Sequence, residues 1–246
     1  MNARSLALAA CLILSAGPRA GAASPTGPAA PLRLADVADG ASGIRIPRSA
    51  WMALAVGGVL ARESLRRENA AEAEYVLDRS YLDGPLDVGN AWGSGLTVAA
   101  GSAGLVGLGV LAHEASLRDA GKDLGTAFLA TSAVVLPLKL FVDRARPNGG
   151  RYSFPSGHTA LAFATAPVLA AHFGLKVGAP AYALAAMTAL GRMEDRKHYL
   201  SDVVFGSAVG LAVGVTIARH SSSRRAARFA PELAVTGRGA AITARF

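Results

Sequence analysis

Apolar runs at 91–111, 125–142, 157–175, 178–191 and 202–218 follow one another with only short turns between them. Runs of this kind in lipid must satisfy every backbone N–H and C=O within the segment, which leaves the helix as the available form. Short turns between helices make neighbours antiparallel. The apolar content comes from Ala, Leu, Val and Gly, and only 6% of the residues are aromatic. Small residues let helix backbones approach closely in a membrane. The spacing Gly206-x3-Gly210-x3-Gly214 is therefore expected to be a helix-packing face. The pattern predicts an all-α fold, a multi-span membrane bundle of about five to six helices with a short C-terminal hairpin-like tail.

The flanks are less regular. Arg4, the apolar stretch Leu6 to Leu14 and Ala20-Gly21-Ala22 predict a signal peptide over 1–23, with an uncleaved anchor as the alternative. Cys11 is the single cysteine, so no intramolecular disulfide forms. It ends a lipobox-like Leu8-Ala9-Ala10-Cys11, but the apolar run continues through Leu12-Ile13-Leu14 where a lipobox would close it. Residues 24–48 read as an irregular linker, rich in Pro, Ala and Gly. The run 49–61 falls short of the ~20 residues a crossing needs and reads as a half-buried or interfacial helix. Leu65, Ala73, Val76 and Leu77 predict an amphipathic helix over 62–82. The helical domain is expected over 49–220, followed by a basic segment and a β-hairpin within 221–246, around Gly237-Arg238-Gly239.

Arg219, Arg224, Arg225 and Arg228 follow the last run and predict a cytoplasmic end there. Counting back places the loops after 142 and after 191, and also 62–90, on the outer side. A cleaved signal fits this count only if 49–61 does not cross; if it crosses, the N-terminus is inside. The net charge of +8 suits an anionic partner. No basic helix is interleaved with aromatics, which argues against nucleic acid and for anionic lipid or phosphate.

With 17% charged residues against about 25% in soluble domains, charges beside apolar runs require a reason. Three clusters stand out. Lys139-x6-Arg146-Pro147 ends one run. Arg grips two phosphate oxygens and Lys adds a point charge. Pro155-Ser156-Gly157-His158 opens the next. Ser156 is a good N-cap, and Gly157 leaves helix-start N–H groups open to an anion. Arg192-x5-His198-x3-Asp202 is the third. Its i, i+4 spacing sets a carboxylate beside an imidazole, fixing one tautomer and freeing the other nitrogen as a nucleophile. Each cluster alone also fits a plainer account: an interfacial cation belt, a capped helix, an exposed charged loop. Their order and their shared predicted side argue for a phosphate site. No His, Cys or carboxylate set has metal-ligand spacing.

These residues resemble the signature of the type 2 phosphatidic acid phosphatase and vanadium haloperoxidase superfamily, over roughly residues 90–218. The resemblance implies that His198 is the nucleophile forming a phosphohistidine, Asp202 its orienting partner, and His158 the general acid. It implies that Lys139, Arg146, Ser156, Gly157 and Arg192 bind the phosphoryl oxygens, with no metal or other cofactor. Gly191 departs from the signature, where serine is usual. The connection from Pro147 to Pro155 is too short for a large lid. The implied activity is hydrolysis of a phospholipid or polyprenyl phosphate or diphosphate at the outer face of a bacterial inner membrane, facing the periplasm. An exported acid phosphatase of the same superfamily, a vanadate haloperoxidase and an inactive lipid-binding membrane protein are the alternatives. The haloperoxidases are usually larger and soluble, and the apolar runs oppose an aqueous enzyme.

Overall fold

The computed structural model describes residues 45–67, 83–228, 232–236 and 239–243. The signal segment, nearly all of the linker, and residues 68–82 of the expected amphipathic helix lie outside the described residues. Among the described residues there are seven helices. They are α1 (Arg48–Arg67), α2 (Asp83–Trp92), α3 (Gly95–Leu111), α4 (Ala115–Val142), α5 (Gly157–Phe173), α6 (Leu175–Glu194) and α7 (Leu200–Arg228). Strands β1 (Glu232–Thr236) and β2 (Gly239–Thr243) pair antiparallel, Glu232 opposite Thr243, forming the expected hairpin.

Helix α5 is the axis of the bundle: Thr159 to Ala162 and Ala164 to Leu169 are all buried. It packs against α4, α6 and α7. The glycine spacing on α7 is the packing face. A Cβ on Gly206, Gly210 or Gly214 would lie 2.6, 2.2 or 2.4 Å from the carbonyl oxygens of Ser156, Ala160 and Ala164. Those separations are inside van der Waals contact, so only glycine lets the two backbones meet. Gly57 does the same for α1, where a Cβ would fall 2.1 Å from Ala208 Cβ.

Among the described residues two helices, α4 and α7, are long and apolar enough to cross a membrane. A third span arises if α2 and α3, bent by 62° at their junction, act as one broken crossing. The bend falls at Ser94, whose Oγ caps α3 by accepting the Thr97 N–H at 3.0 Å. Helix α5 also runs from one end of the bundle to the other, from Ser156 at the loops to His172 beside Asp123 and Arg225. Helix α5 has only 17 residues, ~26 Å at 1.5 Å per residue, and its apolar surface faces protein. Helix α6 carries Lys176, Arg192 and Glu194 near its ends. Helix α1 runs past the 49–61 stretch to Arg67 and is not among the helices that qualify. Leu129, Leu136 and Leu140 on α4, and Leu96, Leu108 and Leu111 on α3, are exposed, as lipid-facing side chains would be.

The two ends of the bundle differ. At one, Asp123 of α4 accepts from His172 Nε2 at 2.8 Å and from Arg224 at 2.9 Å, and Arg225 bonds His172 Nδ1 at 2.7 Å. These contacts tie α4, α5 and α7 together. At the other end, the loops 143–156 and 195–199 meet.

Candidate active site

Backbone geometry explains why the third cluster has its spacing. The Arg192 carbonyl accepts the N–H groups of Lys197 and His198, at 3.2 and 3.1 Å, so the five intervening residues close a turn. Helix α7 then starts after Tyr199. The Asp202 carboxylate reaches back to the Tyr199 N–H at 2.9 Å, the reciprocal half of a capping box. The Asp202 carbonyl accepts the Ser156 N–H at 3.0 Å, which pins the start of α5 to the start of α7. The Arg196 carbonyl accepts the Asn148 N–H at 3.0 Å and joins the two loops.

All eight sequence-predicted residues lie at this end. Lys139 leaves the last turn of α4 and donates through Nζ to the Tyr152 carbonyl at 2.8 Å. A Cβ on Gly157 would sit 3.6 Å from Lys139 Cε, so the lysine stem runs beside the start of α5. Arg146 is held by a turn in which its N–H donates to the Gly150 carbonyl at 2.8 Å. The charges of Arg146 and Arg192 both act on Lys139, and that of Arg146 acts on Arg192. Burial first, and then the cations Arg192 and Lys139, push the His158 imidazole down to about 4. The Nε atoms of Arg146 and Arg192 are buried without a hydrogen-bond partner.

Two details differ from expectation. Ser156 is the N-cap residue of α5, but its hydroxyl makes no cap bond; it pairs with the Thr159 hydroxyl at 2.9 Å. His198 Nδ1 lies 3.6 Å from Asp202 Oδ2, longer than a hydrogen bond, and is buried without a partner. Burial pushes the His198 imidazole below its ordinary range, and the charges of Lys139 and Arg192 push the same way; Asp202 opposes them. The lowered pKa favours the neutral imidazole, the form with a free nitrogen lone pair.

Asp202 is fully buried and has more partners than the sequence suggests. Arg144 donates to Oδ1 at 2.8 Å and to Ser201 Oγ at 2.7 Å. The Arg144 guanidinium also lies 3.9 Å from the Tyr199 ring centroid. Ser153 Oγ donates to Oδ2. Neither Arg144 nor Ser153 belongs to the three clusters. The sequence signal was available: a carboxylate buried where α7 begins requires a cation, and Arg144 stands two residues before Arg146. Asp195 and Asn90 were also missed. Asp195 Oδ2 accepts from Arg192 and from Asn90 Nδ2, both at 3.3 Å.

The fold is that of a membrane helix bundle, with Lys139, Arg146, Arg192, His158 and His198 gathered at one end. A family model described as the PAP2 superfamily matches residues 120–225. Lipid A 1-phosphatase of Porphyromonas gingivalis is 40% identical over 75 residues, covering 29% of this chain and 17% of that protein. The chain thus spans a minor part of that relative's length. Among solved structures, a transmembrane PAP2 type phosphatidylglycerolphosphate phosphatase from Bacillus subtilis shares the fold. Its TM-score is 0.50 at 19% identity, covering 72% of this chain and 96% of that one. Aquifex aeolicus LpxE matches with TM-score 0.48 at 23% identity, over 57% of this chain and 87% of that one. The residues matched by that family model, 120–225, hold Lys139, Arg146, His158, Arg192, His198 and Asp202.

Proposed function

We propose that this protein is a membrane phosphatase that hydrolyses a lipid phosphomonoester or diphosphate through a phosphohistidine on His198. The observation that carries the reading is the gathering of Lys139, Arg146 and Arg192, with both arginine Nε donors buried and unpaired. Like charges repel, and a buried unpaired donor costs about 1–3 kcal/mol, so the cluster is favourable only around an anion. A phosphoryl group offers oxygens to all three.

The chemistry follows from the imidazoles. Nδ1 of His198 faces Asp202, so Nε2 is the attacking atom. Its lone pair forms the P–N bond while the P–O bond to the lipid alcohol breaks, and His158, which takes up a proton once the substrate's phosphate anion offsets the cations around it, gives that alkoxide its proton. Water then attacks phosphorus, His158 takes the water proton, and the P–N bond breaks to release phosphate. The Asp202 carboxylate offsets the positive charge on His198 while it carries the phosphoryl group. Lys139, Arg146, Arg192 and the N–H groups at the start of α5 neutralise the equatorial oxygens, the work that Mg²⁺ does in other phosphoryl-transfer sites. Among the described residues no cluster of His, Cys, Asp or Glu has the grouping to hold a metal ion.

Phosphate release from detergent-solubilised protein is expected to persist in excess EDTA and to be inhibited by vanadate, whose five-coordinate form mimics the transition state. A strict Mg²⁺ requirement refutes the mechanism. The name of the Porphyromonas gingivalis relative makes a lipid A phosphate the first substrate to assay, with phosphatidylglycerol phosphate, phosphatidic acid and a polyprenyl diphosphate beside it.

The site is assigned to the periplasmic face of the inner membrane, because Arg219, Arg224 and Arg225 lie at the opposite end. Much of the positive charge at the site end is engaged by the oxyanion cradle and Asp202. In a Cys11→Ser background, Asn148→Cys is expected to react with an impermeant thiol reagent in spheroplasts, and Ser222→Cys only after lysis. The reverse pattern overturns this orientation.

A further inference from the structure

The short helix α2 fits against the site more closely than a connecting helix needs to. A Cβ on Gly89 would lie 2.7 Å from the Met187 carbonyl carbon and the Thr188 nitrogen, and one on Gly93 2.7 Å from the His158 carbonyl oxygen. Thr188 Oγ1 donates to the Gly89 carbonyl. These contacts hold α2 against α6, and Gly93, just past its end, against the first turn of α5. Between the two glycines stands Asn90. A Cβ on Gly191 would come within 3.0 Å of both Nδ2 and Oδ1 of Asn90. The amide therefore fills the space next to Arg192 that a side chain at 191 would take. Its Nδ2 donates to Asp195 Oδ2, the same oxygen that Arg192 engages. The opposite amide orientation would set two oxygens against each other. Oδ1 of Asn90 is buried without a hydrogen-bond partner.

We propose that Asn90 is a positioning residue for oxyanion binding, which fills the space beside Gly191 and, by donating to Asp195, loosens that carboxylate's hold on Arg192. The inference rests on the phosphatase reading above. Asp195 and a phosphoryl oxygen compete for one guanidinium. A carboxylate oxygen that also accepts from an amide is a weaker partner for Arg192, so the arginine turns to the phosphoryl group at smaller cost. Without the amide, Asp195 keeps Arg192.

The test is vanadate inhibition and steady-state kinetics on the full chain in detergent. Asn90→Ala is expected to raise the vanadate inhibition constant about tenfold and to raise KM more than it lowers kcat. Gly191→Ala, which displaces the same amide from the α6 side, is expected to do the same. Adding Asp195→Asn to Asn90→Ala should restore most of the vanadate affinity, because the competitor is then neutral. A packing defect in α2 would not be relieved by that change. The proposal is overturned if both single variants stay within about twofold of wild type, if Asp195→Asn gives no relief, or if both single variants aggregate on size exclusion. Wild-type protein that releases no phosphate and ignores vanadate sinks the phosphatase reading, and this proposal with it.

Discussion

His198→Ala is expected to abolish phosphate release while the protein stays folded and monodisperse in detergent. Losing a covalent nucleophile removes the two-step path, a loss on the order of 100,000-fold in kcat, or about 7 kcal/mol of transition-state stabilisation. The alanine protein should also fail to retain radiolabelled phosphate after an acid-free quench, whereas wild type traps it. Activity near wild type would remove His198 from the nucleophile's role. The same residue sets a pH expectation. Burial, Lys139 and Arg192 hold its folded-state pKa below the ordinary value, so the acid limb of kcat/KM should fall below about pH 6.5. The stability sign follows. Between the folded value and about 6.5 the unfolded chain binds the extra proton, so stability is complete above the unfolded pKa and is lost as pH falls. His198→Ala should flatten that acid loss in a thermal melt, and an unchanged acid slope would place the cause elsewhere.

What the sequence made legible was local. The start of α5 at Ser156 was readable from the sequence, although its hydroxyl pairs with Thr159 instead of capping the helix. The Gly206, Gly210 and Gly214 spacing showed which face of α7 packs, because glycine at that period has few other uses in an apolar helix. The three charged clusters were visible because charge beside apolar runs is costly. What was hidden was long-range or matched a different cause. Helix α5 is surrounded by other helices of the bundle, and hydropathy alone does not separate that burial from contact with lipid. Arg144 reaches Asp202 across 58 positions, and Asn90 reaches Asp195 across 105. No periodicity reports such pairs. The distance from His198 Nδ1 to Asp202 was hidden too: i, i+4 spacing places two groups on one face but does not close a bond between them.

Arg144→Ala carries the other large effect, and it separates stability from catalysis. Asp202 is fully buried and Arg144 is about one-fifth exposed. Removing one partner of a buried ion pair costs about 3–5 kcal/mol, because the remaining charge is left uncompensated. The exposure of Arg144 lets water reach its side of the pair, and Ser153 and the Tyr199 N–H still hold Asp202, so the low end of that range applies. Arg144→Ala should therefore lower Tm by several degrees and cut kcat as the Asp202 carboxylate swings away from His198. Adding Asp202→Asn removes the stranded charge. The double variant should regain most of the lost Tm while kcat stays low, since a neutral amide cannot offset a charged phosphohistidine. Arg146→Ala offers the contrast: its Nε bonds no protein group, and its loss should raise KM and weaken vanadate rather than lower Tm. If Asp202→Asn fails to restore Tm in the Arg144→Ala protein, the ion pair is not what Arg144 contributes. If it restores kcat as well, Asp202 is not the partner of His198.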